Sequence, residues 1–386
     1  MHRQNTPHAI YLDHNATTPV DPEVQKDMMT CMDKEYGNPS SPYALGVRAR
    51  EVVEGARAEV AGLIGCRPEE LIFTSGGSES NNTVLKGVID FKDPRQCHII
   101  TSAIEHPAIL NPILFLMELG VEVTIIPVNA SGQVDPGDIQ KAIRPQTTLV
   151  TIMLANNETG TLQPIEEISR ITKAHEVLFH TDAAQAVGKL PVDVNGLGVD
   201  FLTVAGHKLY APKGVGALYI REGIPLTPLV HGAGQELGKR AGTENVMLSK
   251  GLGTACRIAQ KRLPRDIEDM TAMRDRLKAH LFSHVDGLVL NSHPRYALPN
   301  TLNVSVPHVE GARILEALPG LMASTGAACH DKTVKLSHVL SAMGVTPEIG
   351  MGALRCSVGR SNTMDQIELA AEWITDQIKR IRHEKP

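Results

Sequence analysis

The fold of this chain can be argued from two stretches, His180-Thr-Asp-Ala-Ala-Gln-Ala-Val-Gly188 and Val204-Ala-Gly-His-Lys-Leu-Tyr-Ala-Pro-Lys-Gly-Val-Gly216. Each follows an apolar, β-branched run, at residues 176–179 and 199–204, that is typical of a buried strand. Polar residues then come where each strand ends, and α/β enzymes place their chemistry at the carboxyl ends of parallel strands. The two stretches therefore predict a parallel sheet with a functional site along one edge.

Asp182, Gln185 and Lys208 in these stretches form a combination that suits one cofactor, pyridoxal 5′-phosphate. An aspartate can keep a pyridine nitrogen protonated, and a lysine can form a Schiff base with an aldehyde. Gln185 can face the phenolic oxygen of the same ring. The alternative is that Lys208 is a surface lysine and Asp182 a helix N-cap, so the remaining site residues have to decide between the two.

The organisation of the chain indicates two domains. Short apolar runs alternate with amphipathic stretches over residues 20–260, which predicts an α/β domain with a mostly parallel sheet covered by helices. A smaller α+β domain is predicted from residues 261–386, joined by residues 1–19. Strands are predicted at 71–74, 98–102, 121–126, 149–154, 177–180, 201–204, 215–220, 288–290, 302–306 and 354–358, and helices include 47–64, 165–174, 312–318, 337–343 and 364–381.

A long helical pattern at residues 243–284 connects the two predicted domains. Because proline removes a backbone donor, a break is predicted near Leu263 and Pro264. The N-terminal segment is assigned to the smaller domain because the polar loop from Asp13 to Pro19 begins no helix.

A phosphate site is predicted at Phe73-Thr-Ser-Gly-Gly-Ser-Glu-Ser-Asn-Asn82, which runs from a strand into a helix. Gly76 and Gly77 allow backbone N–H groups to approach an anion closely, Ser78 adds a hydroxyl, and the helix N-terminus is positive. His207 can also reach the phosphate. A Gly-Gly turn alone is weak support, but the Walker and Rossmann motifs have other spacings.

Other strand ends supply the remaining groups. His106 can stack on the pyridine ring and exchange a proton with the substrate, although a lone histidine is often structural. Asn157 can hydrogen-bond the cofactor or substrate, unless it forms an Asx-turn. Arg355 can bind a substrate carboxylate through two hydrogen bonds, unless it forms a surface ion pair. Asn15, in the polar N-terminal loop, is predicted to contact the substrate as well.

Cys329 lies in a loop of small residues, Ala323-Ser-Thr-Gly-Ala-Ala-Cys-His-Asp331. Most unpaired cysteines are inert core residues. A cysteine on such a loop, beside His330, is instead expected to be accessible and partly ionised, and therefore nucleophilic. The sequence alone leaves both interpretations open.

Composition excludes several classes of function. Aromatic residues make up 3% of the chain and the net charge is −5, which argues against nucleic-acid and anionic-membrane partners. No apolar run is long enough for a membrane span, and the N-terminus lacks the apolar region of a signal peptide. The six cysteines contain no Cys-x-x-Cys pair, so we expect free thiols, a cytoplasmic location and no metal site.

The chain resembles the cysteine desulfurases of the NifS/IscS type and the related selenocysteine lyases. These are class V aminotransferase-like enzymes of fold type I that depend on pyridoxal phosphate. The resemblance extends from Tyr11 to Ser361. Its motifs are Gly37-Asn-Pro-Ser-Ser-Pro42, Thr74-Ser-Gly-Gly-Ser-Glu-Ser80, Ala155-Asn-Asn-Glu-Thr-Gly160, His180-Thr-Asp-Ala-Ala-Gln185, Gly206-His-Lys208, Arg240-Ala-Gly-Thr-Glu-Asn245 and Ser324-Thr-Gly-Ala-Ala-Cys329.

The resemblance implies a role for each matching residue. Lys208 would carry the cofactor, His106 would stack on its ring and Asp182 would pair with its nitrogen. Cys329 would attack the sulfur of L-cysteine, leaving a persulfide and L-alanine. Thr243 would reach the phosphate of the other subunit, which implies a homodimer. The sulfur acceptor would be another protein, such as an iron–sulfur scaffold.

Three sequence features bear on the choice between sulfur and selenium. Ala205 replaces a serine that desulfurases usually have, and Cys329 is followed by His330 and Asp331. Both features are more typical of the lyases. Pro107 after His106 is typical of nitrogen-fixation-type desulfurases. We expect a cysteine desulfurase, with a selenocysteine lyase as the alternative. An aminotransferase of the same fold, or a non-catalytic scaffold that keeps the fold, stays open as well.

Overall fold

The computed structural model describes residues 9–325, 327–330 and 333–384, with side chains for 9–325 and 336–384. Helices and strands alternate along most of this part of the chain. The helices are α1 (Pro22–Lys34), α2 (Ala44–Ile64), α3 (Gly77–Gly87), α4 (Pro107–Glu118), α5 (Pro136–Ala142), α6 (Ile165–Ala174), α7 (Val194–Leu197), α8 (Val246–His284), α9 (Gly311–Glu316), α10 (His338–Ala342), α11 (Pro347–Gly350) and α12 (Met364–His383).

The strands fall into one large sheet and several small ones. They are β1 (Ile10–Tyr11), β2 (Leu71–Thr74), β3 (His98–Ser102), β4 (Glu122–Ile126), β5 (Thr147–Thr151), β6 (Leu178–Asp182), β7 (Phe201–Ala205), β8 (Gly216–Ile220), β9 (Val289–Leu290), β10 (Thr301–Ser305), β11 (Leu321–Met322), β12 (Ser324–Thr325), β13 (Ala327–His330), β14 (Thr333–Leu336) and β15 (Ala353–Ser357).

The large sheet has seven strands in the order β2-β8-β7-β6-β5-β3-β4. Strands β4, β3, β5, β6 and β7 are parallel to one another, whereas β8 runs antiparallel to both β7 and β2. The predicted class, a mostly parallel sheet in an α/β chain, is therefore confirmed. Because the parallel strands end at one edge, the polar residues that follow them meet there.

Helices cover both faces of this sheet. Successive residues of a strand point to opposite faces. Ile99 and Phe201 accordingly pack in a cluster with residues of α3 and α4, such as Leu85. Ile100 and Leu202 pack in a second, larger cluster with residues of α2, α6 and α8. Burial on both faces explains why apolar residues are consecutive in these strands rather than alternating with exposed ones.

A separate apolar cluster lies around the small antiparallel sheet, whose order is β12-β15-β10-β9. It combines Ile10 and Leu12 with residues of α8, α12 and the sheet. The N-terminal segment reaches it because β1 pairs in parallel with β11 and Asp13 bridges to Ser357. The division into domains at residues 20–260 and at 1–19 with 261–386 stays a prediction.

The predicted break in the long helix is wrong. Helix α8 runs through Pro264 without interruption. A proline inside a helix removes one backbone hydrogen bond, which is a local cost. Packing outweighs it, because α8 supplies Leu252 and Ala255 to the larger cluster and Met270 and Leu277 to the cluster around the small sheet. Among the described residues, no helix combines the length and the apolar character that a membrane span requires.

A buried ion pair supports the strand that leads into the phosphate turn. The guanidinium of Arg57, on α2, donates to both carboxylate oxygens of Glu236, at 2.7 and 3.1 Å. Glu236 also accepts the backbone N–H of Phe73 on β2, at 2.8 Å. Both side chains are almost completely buried.

Replacing Glu236 with alanine is expected to lower the free energy of unfolding by about 3 kcal/mol, because among the described residues it leaves the buried Arg57 charge with the more exposed Glu54 as its ion-pair partner. Urea unfolding would measure this. The matched control is Glu122→Ala, which removes the half-exposed pair with Arg144 and should change the midpoint much less. Equal effects of the two substitutions would contradict the importance given to the buried pair.

Candidate active site

A cavity of about 340 Å³ lies at the carboxyl ends of the parallel strands. This volume is in the range of small-molecule sites. The structure brings ten of the twelve predicted site residues to its lining. They are Asn15, Gly77, Ser78, His106, Asn157, Asp182, Gln185, His207, Lys208 and Arg355.

One end of the cavity is the turn from β2 into α3. Gly76 has φ of 148°, a conformation that side-chain-bearing residues rarely adopt, so glycine is required there. The turn aims the first residues of α3, Gly77 and Ser78, at the cavity. The first N–H groups of a helix have no intrahelical partner, so this end can bind an anion. Ala205, at the end of β7, lines the same region.

Asp182 ends β6, and its carboxylate is held at both oxygens. Oδ2 accepts from Asn81 Nδ2 at 2.7 Å, and Oδ1 accepts from the backbone N–H of Ala184 at 2.9 Å. Asp182 is not a helix N-cap, since β6 leads into turns here. The sequence analysis missed Asn81, which is fully buried on α3 and lines the cavity.

Lys208 follows β7 and reaches the N-terminal loop. Its Nζ donates to the backbone oxygens of Asn15, at 2.6 Å, and Ala16, at 2.7 Å. Burial lowers the pKa of Lys208 to about 8, Arg355 acts in the same direction, and the carboxylates of Asp13 and Asp182 oppose the shift. A lysine with this pKa has a larger neutral fraction near pH 7 than a surface lysine, and the neutral amine is the nucleophile. Lys208 is therefore not an ordinary surface lysine.

His106 precedes α4 and caps it. Its Nδ1 accepts the backbone N–H of Ala108 at 3.1 Å, so the proton of the neutral ring is on Nε2. Desolvation lowers the pKa of His106; Asp182 opposes this shift, while Lys208 and His338 lower the pKa further. The ring is consequently neutral near pH 7 and exposed on the cavity side.

Glu105, next to this histidine, is completely buried, and sequence analysis gave it no role. Its carboxyl accepts from Ser102 Oγ at 2.6 Å and from the backbone N–H of Met153 at 2.9 Å. Burial raises the pKa of Glu105 to about 8, these two hydrogen bonds oppose the shift, and Asp182 adds to it. Glu105 is therefore largely protonated near pH 7.

The two asparagines that follow β5 have different positions: Asn156 forms a turn, and Asn157 lines the cavity. Asn156 is buried, and its Oδ1 accepts the backbone N–H groups of Glu158 and Thr159, both at 2.9 Å. It forms the Asx-turn that was the alternative for Asn157. The side chain of Asn157 is left to line the cavity.

Arg355, on β15, is buried in an ion pair rather than exposed. Its Nη2 donates to Asp13 Oδ1 at 2.6 Å and to Ser324 Oγ at 2.8 Å, and Nη1 donates to the backbone oxygen of Asn157 at 3.0 Å. The buried Nε has no partner among the described residues. The guanidinium therefore keeps donor capacity beyond the groups that hold it, as a carboxylate site requires.

Asn15 and His207 connect the cavity to the N-terminal loop. The Asn15 side chain donates to the Asn157 oxygen at 3.2 Å and to Thr301 Oγ1 at 2.8 Å, and its Oδ1 accepts from Asn300 at 3.0 Å. With its amide used in this way, Asn15 holds the cavity wall, and its contact with substrate stays a prediction. Burial, and then the charge of Lys208, lowers the pKa of His207 to about 4, so its ring is neutral.

Two predicted residues are not in this lining. Thr243 is exposed and lines a neighbouring depression with Ser75 and Arg240. The side chain of Cys329 lies outside the described residues, although its backbone belongs to β13, opposite Val334 of β14. The predicted roles of both residues stay predictions.

The cavity fits pyridoxal phosphate. Its lining offers one group for each part of the cofactor. The N-terminus of α3 suits the phosphate, the carboxylate of Asp182 suits the pyridine nitrogen, and the amine of Lys208 suits the aldehyde. The buried Oδ1 of Asn81 has no partner among the described residues, as expected where a ligand completes the hydrogen bonding. Among the described residues there is no group of His, Cys, Asp or Glu that could hold a metal ion.

Replacing Asp182 with alanine is expected to lower kcat about 100-fold, because the ring nitrogen of a bound pyridoxal phosphate would lose the charge that keeps it protonated. Cofactor affinity should fall much less, since the phosphate contacts remain. Steady-state kinetics and cofactor titration would measure the two effects. Asp193→Ala, which removes an exposed carboxylate, is the control. A normal kcat combined with weaker cofactor binding would contradict the role of Asp182.

The seven-stranded sheet and the cavity at its carboxyl edge define an enzyme of fold type I. The model of the aminotransferase class-V family matches residues 10–369, and the chain belongs to this family. A relative from Dictyoglomus turgidum (strain DSM 6724 / Z-1310), named cysteine desulfurase IscS, is 44% identical over 379 residues, which cover 98% of this chain and 96% of the relative.

Solved structures agree with this assignment. A NifS-like protein superposes with a TM-score of 0.90 at 38% identity, over 96% of this chain and 100% of the other. A structure described as SspA in complex with cysteine gives a TM-score of 0.80 at 36% identity, over 92% and 99% of the two chains. The resemblance found in the sequence, and the fold that it implied, are confirmed.

Proposed function

We propose that this chain is a pyridoxal phosphate-dependent cysteine desulfurase. It would convert L-cysteine to L-alanine and take the sulfur onto Cys329 as a persulfide. The observation that carries the proposal is the presence of Lys208, Asp182 and the N-terminus of α3 in the lining of a single cavity. The names of the relatives, and the structure of SspA in complex with cysteine, support L-cysteine as the substrate.

The residues that would hold the cofactor follow from the lining. Gly77, Ser78 and His207 would bind the phosphate, Asp182 the ring nitrogen, and Lys208 the aldehyde carbon. His106 would cover the ring, with Asn157 and Gln185 as hydrogen-bonding partners. When bound, the cofactor supplies an electron sink for a carbanion at the substrate Cα.

Side chains of the protein would bind the substrate and transfer its proton and its sulfur. Arg355 would bind the substrate carboxylate, and the neutral amine of Lys208 would remove the proton from Cα. The Cys329 thiolate would form a bond to the substrate Sγ while the Cβ–Sγ bond breaks, with the electron pair kept by carbon. Protonation of that carbon, and return of a proton to Cα, would give L-alanine and leave the Cys329 persulfide.

One assay tests this function. The purified enzyme is incubated with L-cysteine or with L-selenocysteine, and alanine is measured together with any keto acid. We expect alanine without keto acid from L-cysteine. Keto acid formation would support an aminotransferase instead, and a protein that binds no pyridoxal phosphate would support a non-catalytic scaffold.

Selenocysteine lyase activity is the second candidate. The observation that favours it is Ala205, which lines the cavity close to Gly77 and brings a methyl group where a serine would bring a hydroxyl. Alanine formed from L-selenocysteine but not from L-cysteine would establish this alternative.

The proposed enzyme is a homodimer in which Thr243 acts on the partner's site. The residue is exposed and does not line the cavity of its own chain. A protein that accepts the sulfur, such as an iron–sulfur scaffold, and a cytoplasmic location complete the proposal.

Thr243→Ala is expected to weaken cofactor affinity about fivefold through the lost phosphate contact. Mixing the Thr243→Ala chain with an inactive Lys208→Ala chain tests whether Thr243 acts on its own site or on that of the partner subunit. If Thr243 acts in trans, the mixed dimer contains one site with both residues intact, and activity rises above the mean of the two parents. If Thr243 acts within its own chain, no site is complete and activity stays at that mean. A fully active monomer would contradict the prediction altogether.

A further inference from the structure

A second buried lysine lies behind the cavity and has no part in the chemistry described so far. Lys189 follows β6 by seven residues, and only 5% of its surface is exposed. Among the described residues, its hydrogen-bond partners are two amide oxygens and not carboxylates. Burying an amine without a counter-charge is costly, so a specific use for its N–H groups is expected.

The first partner of Lys189 is the side chain of Gln185. Nζ donates to Gln185 Oε1 at 2.8 Å, and the other end of this amide, Nε2, donates to the backbone oxygen of Asn15 at 3.0 Å. A backbone oxygen can only accept, and it therefore requires the nitrogen of Gln185. The amine at the opposite end donates to the oxygen. The orientation of the amide is fixed from both ends.

The second partner of Lys189 strengthens the same arrangement. Nζ also donates to Asn15 Oδ1 at 3.2 Å. Asn15 is therefore held at its side chain by Lys189 while its backbone oxygen accepts from Gln185 and from Lys208. These contacts connect Asn15 and Gln185, which line the cavity, to Lys189, which does not.

The fixed orientation determines what Gln185 offers to a ligand. Its oxygen is used by Lys189 and one N–H is used by Asn15. The second N–H has no other partner among the described residues, and Gln185 lines the cavity. Gln185 can therefore offer the cavity an N–H donor, which suits a phenolate oxygen. An acceptor at this place would repel the phenolate.

We propose that Lys189 is a positioning residue that fixes the Gln185 amide so that an N–H faces the ring oxygen of pyridoxal phosphate. The inference rests on the proposed function, because it takes pyridoxal phosphate as the ligand. Without Lys189 the Gln185 oxygen loses its donor, and the amide is free to rotate away from the donating orientation.

The test measures cofactor binding rather than turnover. Lys189→Met keeps the chain length without a donor, Gln185→Met removes the amide, and the two are also combined. Each chain is freed of cofactor and titrated with pyridoxal phosphate, and the visible absorbance maximum of the loaded form is recorded. Lys213→Met, which changes an exposed lysine, is the matched control.

Each single substitution is expected to weaken binding about fivefold and to shift the absorbance maximum in the same direction. The double variant should be no worse than Gln185→Met, because the two residues act through one contact. Wild-type affinity and absorbance in Lys189→Met would overturn the inference, as would a double variant whose losses multiply. Failure of the wild-type chain to bind pyridoxal phosphate would instead overturn the proposed function.

Gln185→Glu provides a test that does not depend on the folding of Lys189→Met. A carboxylate still accepts from Lys189 but cannot donate to the ring oxygen. We expect at least the same fivefold loss of affinity. Unchanged binding in this variant would show that a donor at residue 185 is not needed, and the inference would fall with it.

Discussion

Lys208→Ala is expected to reduce turnover of L-cysteine more than about 1,000-fold, because the same amine holds the cofactor and moves the Cα proton. The visible absorbance of the protein with pyridoxal phosphate should change to that of free cofactor, since no covalent adduct can form. Absorption spectra and alanine assays would measure the two losses in one preparation.

The nearby Lys213 is the matched control for this experiment. It is exposed and five residues further along the same loop. Lys213→Ala should keep both absorbance and activity. Near wild-type turnover in Lys208→Ala would show that another amine carries the cofactor, and the assignment of the site would be wrong.

Cys329→Ala is expected to abolish alanine formation from L-cysteine, because the departing sulfur then has no nucleophile to accept it. Turnover of L-selenocysteine should persist in part, since a selenol is far more acidic than a thiol and leaves more readily. Alanine assays with both substrates would measure the difference. Unchanged desulfuration by Cys329→Ala would contradict the persulfide mechanism.

The other cysteines make suitable controls. Burial raises the pKa of Cys66 and of Cys356 to about 12, so these thiols are protonated near pH 7 and poorly nucleophilic. Cys66→Ala should therefore keep wild-type activity. After exposure to L-cysteine, mass spectrometry should find one added sulfur on the Cys329 peptide and none on the others. Alanine formed without that adduct would contradict the persulfide mechanism.

The sequence predicted the fold well where an element is defined by its own residues. Strands β2 and β3 and helix α6 have the predicted bounds because apolar runs and flanking polar residues mark both ends. Strand β5 was predicted at 149–154 but is Thr147–Thr151. Residues beyond it still bond to β6, as Ile152 does to the His180 oxygen, so the apolar pattern continues past the strand's end.

The candidate site was predictable to the extent that its groups follow strands. Asp182 ends β6, and Lys208 and His106 lie within four residues of the ends of β7 and β3, so the topology of the sheet brings them together. Asn81, Glu105 and Lys189 could not be assigned in this way. Their importance comes from contacts with distant parts of the chain, such as Asn81 with a residue 101 positions away, and sequence periodicity does not report such partners.

Helix α8 has a consequence for how the molecule loses its structure. Because a single continuous helix contributes Leu252 to one apolar cluster and Leu277 to the other, melting either end exposes part of a core. The cost of opening one half therefore includes the cost of disturbing the other, which favours a cooperative transition over stepwise melting.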